Sequence, residues 1–176
     1  MSDQVEMHRP IAVGQVGTLG LEREVIATAE ECVAIAARLR IPAVAGLACR
    51  FRLSLLGGGV VLAEGMLAAR VTQECVVTTD PFEAEVQEAF RVRFVPEEQF
   101  VEPDEEDLLD LESDDELPYA GTQIDLGEAA VEQLALALDP YPRKPGAVLG
   151  DGDMPGDPDD EPTSPFAALA RRARPG

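Results

Sequence analysis

The stretch AGLACRFRLSL at residues 45–55 alternates apolar and polar side chains, as do VLAEGMLAARV at 61–71 and FEAEVQEAFRVRF at 82–94. A period of two predicts strands with one buried side and one side facing solvent. The glycines at 57–59 and the Thr79-Asp80-Pro81 segment separate these runs and are typical of tight turns. Short connections between three long strands predict an antiparallel meander with one packed face.

Two segments with helical periodicity flank the meander and can cover its apolar face. Thr28 and Glu31 form a capping box after a short predicted strand over 23–27, and Asp125 and Glu128 form a second box before a helix that ends at 139–140. The apolar stripe of the first helix is Val33, Ile35, Ala36 and Leu39, and that of the second is Ala130, Val131, Leu134 and Leu138. The sequence therefore predicts an α+β fold, an antiparallel sheet or partly closed barrel covered by two amphipathic helices.

The acidity of the chain is concentrated in two stretches. The 176 residues include 34 acidic and 14 basic side chains, which give a formal net charge of −20. Residues 97–116 hold 12 of the acids and residues 151–162 hold six, whereas residues 1–96 carry a net charge of only −3. One-signed charge with few apolar residues cannot bury enough surface to fold. We expect a disordered acidic insert over 97–120 and a disordered acidic linker near the C-terminus.

This charge distribution predicts a single domain over residues 1–142, with the insert inside it, and a flexible acidic tail over 143–176. A single lysine in so acidic a chain argues against unaided, sequence-independent binding of nucleic acid, because such binding depends on basic side chains that release counterions. No stretch approaches the roughly 18 apolar residues of a membrane span, and the first ten residues do not form a signal peptide. We expect a soluble, intracellular protein.

Residues that could carry catalysis or bind a metal are scarce. The only histidine, His8, lies in an expected N-terminal tail, and the spacing of Cys32, Cys49 and Cys75 fits neither a disulfide framework nor a zinc site. We interpret the cysteines as small buried apolar groups in a reducing compartment. Nucleotide-binding glycine loops are absent, and the segment 151–162 has prolines where a calcium loop needs ligands. The sequence predicts no catalytic residue, no metal site and no cofactor.

The order of these elements resembles the YceD family of large-ribosomal-RNA-accumulation proteins from bacteria and plastids. The blocks that carry the resemblance are VTQEC (71–75), DPF (80–82), FRVRF (90–94), an acidic insert, QIDL (123–126), VEQLALAL (131–138), PYP (140–142) and SPFAAL (164–169) followed by arginines. Many relatives have a second cysteine three residues after the first, and here that position is Thr78.

The resemblance implies a non-enzymatic factor in ribosome biogenesis that supports the synthesis, processing or stability of the large-subunit 23S ribosomal RNA. Its implied partner is that RNA or its precursor particle, reached directly or through a basic ribosomal protein. A role for Cys75 in a metal or redox pair is doubtful without the second cysteine, so we favour a small apolar group that ends a strand.

Two surfaces are candidates for binding RNA or a partner. The solvent side of the meander should carry five arginines, whose guanidinium groups can bind phosphate: Arg50, Arg52, Arg70, Arg91 and Arg93. Four glutamates share that side, namely Glu64, Glu74, Glu83 and Glu85. Cross-strand ion pairs explain the arrangement without RNA and are favoured, because no aromatic residue is present to stack on bases.

The second candidate surface is the C-terminal segment, with Phe166, Leu169, Arg171 and Arg172. It could dock on a partner, on ribosomal RNA or on the protein's own sheet. Two other functions also stay open at this point. An acidic binding protein could shield basic ribosomal proteins through residues 97–116. An enzyme that uses Glu83 and Glu85 as paired carboxylates is disfavoured, because both should lie in solvent.

Overall fold

The computed structural model describes residues 5–101 and 114–148, and its fold is α+β. The strands are β1 (Pro10–Ala12), β2 (Leu21–Ile26), β3 (Ala43–Gly57), β4 (Val60–Glu74), β5 (Pro81–Pro96), β6 (Asp115–Tyr119) and β7 (Gln123–Asp125). The helices are α1 (Ala29–Leu39) and α2 (Leu126–Ala137), with 3₁₀ turns at Val13–Gln15 and Glu97–Gln99. The chain divides into two compact units, Met1–Pro145 and Gly146–Gly176, and this fold belongs to the first.

A five-stranded sheet in the order β2-β3-β4-β5-β6 is the frame of the fold. Strands β2 to β5 are antiparallel neighbours, which confirms the predicted meander. Strand β6 runs parallel to β5, and β1 and β7 form a separate two-stranded ribbon. Within the described ranges the sheet is open, so the partly closed barrel considered from the sequence is not formed.

The tip of the β3–β4 hairpin depends on three consecutive glycines. Gly57, Gly58 and Gly59 all have positive φ angles, of 103°, 63° and 87°, which residues other than glycine rarely adopt. The Gln99 amide donates a hydrogen bond to the Gly58 carbonyl at 2.7 Å, and the Tyr119 hydroxyl donates to the Gly59 carbonyl at 2.7 Å. Residues on both sides of the acidic stretch therefore hold this turn.

One side of the sheet and both helices enclose a single apolar core. Fully buried members from the sheet and helices are Phe51, Leu53, Val61, Leu67, Val71, Val92, Ile35, Leu126 and Leu134. Gly65 is in register between Phe51 on β3 and Phe90 on β5, and a Cβ there would come within 2.1 Å of the Phe90 ring. The Phe51 and Phe90 rings meet edge to face with their centroids 5.7 Å apart. The architecture is a two-layer α/β packing that leaves the other side of the sheet in solvent.

The caps of both helices are those that the sequence predicts, with one difference. At α1 the capping box is complete, since the Glu31 N–H donates to the Thr28 hydroxyl at 3.2 Å and the Thr28 N–H donates to the Glu31 carboxylate at 2.7 Å. At α2 the Asp125 carboxylate accepts from the N–H of Glu128, but the Glu128 carboxylate binds Arg38 at 2.7 Å instead of closing a box. The prediction of a second capping box is therefore wrong in one of its two hydrogen bonds, the one from the Asp125 N–H to the Glu128 carboxylate.

The buried stripe of α1 also differs from the prediction at one position. Val33 is 72 % exposed, whereas Cys32 is buried with Ile35 and Ala36. Positions i, i+3 and i+4 share one helix face, so Cys32, Ile35 and Ala36 lie together in the core and Val33 lies outside this face. The cysteine that we interpreted as a small apolar group is thus part of the buried stripe of this helix.

The N-terminal segment is part of the fold, so the predicted tail around His8 is wrong. The Met7 side chain is fully buried, and the His8 ring hydrogen-bonds the Asp125 carboxylate. The Arg9 N–H donates to Asp125 at 2.8 Å, and the Leu126 N–H donates to the Arg9 carbonyl at 3.2 Å. These contacts satisfy backbone groups at the start of α2, and the buried methionine explains why the segment stays attached.

The predicted disordered insert over 97–120 is wrong at both of its described ends. Residues 97–99 form a 3₁₀ turn, and residues 115–119 form β6, in which Leu117 and Tyr119 pack against the core. Alternating apolar residues and nearby arginines order this end despite its acidity. Residues 102–113 of the insert, and residues 149–176 of the predicted tail, lie outside the described residues. The domain boundary after 142 stays a prediction.

Candidate functional site

The five predicted arginines lie on the solvent side of the sheet, but they do not form one group. In register, Arg52 on β3 is opposite Glu64 on β4, which is opposite Arg91 on β5. Arg50 and Arg93 are two residues away on the same strands. Arg70 is six residues further along β4 than Glu64, about 20 Å at the usual rise of a strand. Four arginines therefore cluster at one end of the sheet, and the fifth is remote, opposite Glu85.

The clustered end of this face is an open trough of about 1120 Å³, lined by residues of β2, β3, β4 and β5 and by Asp114 and Asp115. Its charged lining residues are Arg23, Arg50, Arg52, Arg91, Glu22, Glu24, Glu64, Asp114 and Asp115. Four cations thus face five carboxylates. The trough has no excess of positive charge that could attract the phosphates of a nucleic acid.

Each of the four clustered arginines forms an ion pair with a carboxylate that lies on an edge strand or, for Asp114, directly before one. The distances are 3.1 Å for Arg50–Glu24, 3.2 Å for Arg52–Glu22, 3.3 Å for Arg91–Asp114 and 3.1 Å for Arg93–Glu116. The arginine side chains range from 39 % to 80 % exposed, so each pair contributes roughly 0–1 kcal/mol to stability. Their main effect is to neutralise the guanidinium groups.

Sequence reasoning named the wrong partners for these arginines. It expected Glu64, Glu74, Glu83 and Glu85, whereas the acids in contact are Glu22 and Glu24 on β2 and Asp114 and Glu116 at β6. The alternation of Glu22 and Glu24 in the strand that pairs with β3 was an available signal, because it matches the alternation of Arg50 and Arg52. No comparable signal existed for β6, which lies within the acidic stretch.

The floor of the trough combines the acidic Glu64 with an apolar part around Met66. Met66 lies opposite Arg50 on β3 and Ala89 on β5, and its side chain is 61 % exposed. A methionine on a surface adapts to different contact shapes, and an apolar centre with a polar, ion-paired rim is the usual anatomy of a protein–protein contact. The chemistry of the trough therefore fits a protein partner better than a nucleic acid.

The cysteines are free and buried, as we predicted. Burial raises the pKa of the Cys49 thiol to about 12. Cys75 differs, because hydrogen bonding to the Thr78 side chain, followed by the Lys144 backbone N–H, lowers its pKa to about 7. Its residue is only 1 % exposed, so the thiol is stabilised as an anion in a site that reagents reach poorly.

The turn that contains Cys75 also brings together several of the sequence blocks on which the resemblance rests. The Val76 N–H donates to the Pro142 carbonyl at 2.9 Å, and the Gln73 amide donates to the Asp139 carbonyl at 3.2 Å. Lys144 Nζ lies 3.4 Å from the Asp80 carboxylate. The 140–142 block therefore packs against the β4–β5 turn. In the parts of the chain with described coordinates, no three potential ligands are grouped as a metal site would need.

The second candidate surface cannot be placed on the fold. Phe166, Leu169, Arg171 and Arg172 lie outside the described residues, as does the segment 151–162 that we compared with a calcium loop. Their roles stay predictions. Among the helices that the structure does describe, none has the length and hydrophobicity to cross a membrane.

Comparison with known proteins gives one match. A family model described as "Large ribosomal RNA subunit accumulation protein YceD" matches residues 63–171, which is more than half of the chain. The match begins within β4 and includes β5, Cys75, the Asp114–Glu116 acids and all of α2. No curated protein and no solved structure matches at the same standard of significance.

Proposed function

The chain belongs to the YceD family of large ribosomal RNA subunit accumulation proteins, and on that premise we propose that it is a non-enzymatic ribosome biogenesis factor of the cytoplasm. It supports the accumulation of 23S ribosomal RNA by acting on the precursor of the large subunit. The family name supports the general role in accumulation of the RNA. The geometry of the sheet supports the proposed way in which the protein contacts the precursor particle.

We propose that the protein contacts the precursor particle through a protein component rather than by holding RNA. The supporting observation is the pairing of the four clustered arginines with carboxylates at 3.1–3.3 Å. A phosphate would have to displace a carboxylate from each arginine, and the expelled acid would then repel the RNA. Binding by counterion release needs cations that are not already compensated.

The absence of enzymatic activity is part of the proposal and has its own support. His8 is used in the capping of α2, where it binds Asp125, and Glu83 and Glu85 are both exposed on one strand. General acid or base catalysis needs a positioned group with a partner and a sheltered site. The residues that the structure describes offer no such arrangement.

A second candidate function is an acidic protein that shields free basic proteins. It is favoured by the 12 acids within residues 97–116. Sedimentation of cell extracts separates the two functions, because an assembly factor should travel with precursor large subunits. A shield should instead remain with free basic proteins and lose them in moderate salt, since its attraction is screened.

The proposal is tested by replacing one arginine inside the trough and one outside it. Arg52→Gln removes an ion pair with Glu22, and Arg143→Gln removes an exposed arginine beside the β4–β5 turn, outside the trough, so both variants change the net charge equally. We expect both variants to keep their association with precursor particles within about twofold and to lose less than about 1 kcal/mol of stability.

The contrary result is specific for contact with RNA. If Arg52 holds a phosphate, Arg52→Gln alone should weaken association, and the slope of log affinity against log salt concentration should flatten by roughly 0.9. That outcome would overturn the protein-mediated contact. Failure of the wild-type protein to sediment with any precursor particle would overturn the ribosomal role itself.

A further inference from the structure

The outer edge of β5 is regular and unusually long. Strand β5 extends over Pro81–Pro96, but β6 pairs only with its last part, from Val92 to Pro96. On its other side, β5 pairs with β4 without any register shift, from Pro81 to Phe94. Within residues 5–101 and 114–148, the edge over 81–91 therefore has no strand partner, and alternate residues direct backbone N–H and C=O groups outward.

This edge lacks most of the features that normally prevent strand addition. Edge strands are commonly kept short, broken by bulges or proline, or covered with lysine. The edge over 81–91 has a proline only at its first position, no lysine and no bulge, and its one inward-facing charge is Glu88. Strand β2, at the opposite edge of the sheet, is only six residues long. The β5 edge is therefore long and regular, whereas the β2 edge is short.

Side chains along the edge select for positive charge. Glu83 and Glu85 are exposed on the solvent-facing side, where the basic residues are Arg70, opposite Glu85 on β4, and Arg91 at the end of the edge. Glu88 lies on the core-facing side, opposite buried Leu67, and so interrupts an apolar row. Pairing of β5 with a second copy of itself is disfavoured in any register that sets Glu83 opposite Glu85. A strand that carries basic side chains would pair with them favourably.

The core-facing side of the same edge is apolar and only partly covered. Phe82, Ala84, Val86 and Phe90 are half-buried, and the last three pack against the main core. An added strand would cover their outer sides with its own apolar residues. The matching ligand is an extended segment in which basic and apolar side chains alternate.

We propose that the β5 edge over residues 81–91 binds an extended basic segment of a partner protein by adding a strand to the sheet. Backbone hydrogen bonds would supply the general affinity, and Glu83 and Glu85 on the solvent side would supply the selectivity for lysine and arginine. The inference rests on the proposed function only in taking the partner to be a protein. It assigns the contact to the β5 edge, which shares residues 89–91 with the lining of the arginine trough.

The experiment uses the purified full chain and fluorescence anisotropy with labelled synthetic peptides. The probe is a peptide of about ten residues that alternates lysine with valine. A second peptide has the same sequence with alternate backbone nitrogens methylated, so that it keeps its charge but cannot form the ladder of hydrogen bonds. We expect the methylated peptide to bind at least tenfold more weakly than the probe.

Two protein variants test the position of the site. Glu83→Gln and Glu85→Gln together remove the charges on the solvent side of the edge, whereas Glu97→Gln and Glu98→Gln together make the same change of net charge at exposed positions elsewhere. Far-UV circular dichroism verifies that both are folded. We expect at least a tenfold loss of affinity in the first variant and less than a twofold loss in the second.

Three results would overturn the inference: no binding of the probe, equal binding of the methylated peptide, or equal losses in the two variants. The last two would reduce the contact to non-specific attraction between opposite charges. None of them concerns the level of ribosomal RNA, so the proposed function would stand or fall separately.

Discussion

Gly127 is the point at which α2 meets the N-terminal segment, and replacing it should test whether that segment belongs to the folded domain. A Cβ at this position would lie 2.2 Å from the Met7 carbonyl oxygen and 3.1 Å from the Arg9 nitrogen. Both atoms are backbone atoms, which cannot move aside as the end of a flexible side chain can. Gly127→Ala should therefore displace the segment from α2.

The cost of that displacement follows from the contacts that would be lost. Exposing the fully buried Met7 side chain costs about 1.5–3 kcal/mol. Breaking the hydrogen bond from the Arg9 N–H to the Asp125 carboxylate, now 2.8 Å long, costs about 1–3 kcal/mol. Alanine is a better helix former than glycine and returns up to roughly 1 kcal/mol. We expect a net loss of about 2–4 kcal/mol in the free energy of unfolding.

Urea denaturation followed by far-UV circular dichroism measures this change, because the chain has no tryptophan for fluorescence. Gly46→Ala is the matched control, since a Cβ there meets nothing within 4 Å, and it should change stability by less than about 0.5 kcal/mol. Met7→Ala should cost much less in the Gly127→Ala background than in the wild type. The reasoning is refuted if Gly127→Ala is as stable as the wild type, or more stable.

Three further predictions concern titration and metal content. The two guanidinium hydrogen bonds from Arg9 lower the pKa of Glu31 from 4.5 to about 2, so their stabilising effect is present above pH 4.5 and is lost as the pH falls towards 2. In the Glu31→Gln variant, the urea midpoint should therefore fall less over that pH range than in the wild type. An equal fall in both proteins would contradict this. The pKa of Cys75 is lowered from 9.0 to about 7, so the stability of the wild type should increase as the pH is raised from 7 to 9. The same increase in Cys75→Ser would show that another group is responsible. Elemental analysis of the purified protein should find less than roughly 0.1 zinc per chain, and one zinc per chain retained after dialysis against a chelator would overturn the absence of a zinc site.

The three long strands and both helices could be predicted because their signals are local. Strict alternation identified β3, β4 and β5 to within a few residues, and the residues at 28 and 125 located the starts of α1 and α2. In each case one face is buried and the other is in solvent, so the spacing of apolar residues along the sequence matches the repeat of the strand or helix. The face of the sheet that carries the arginines followed from the same alternation.

The elements that were missed depend on contacts between residues distant in sequence. Strand β6 lies in a stretch whose composition predicts disorder, and it is ordered by Arg91 and Arg93 on β5 and by the Gly59 carbonyl in the β3–β4 turn. The pairing of β1 with β7 joins residues more than 110 positions apart. The partners of the arginines were missed for the same reason, because the neighbours of a strand cannot be read from its own sequence.

The central claim is that this protein supports the accumulation of large-subunit ribosomal RNA, and depletion tests it most directly. Mature 23S RNA is measured relative to small-subunit RNA after depletion in a strain without a second copy, with wild-type or Leu134→Pro protein supplied from a plasmid. Leu134 is fully buried in α2, so the proline variant should lose about 3 kcal/mol or more and fail to complement. The account predicts that the ratio falls on depletion and is restored only by the wild type. An unchanged ratio would contradict it.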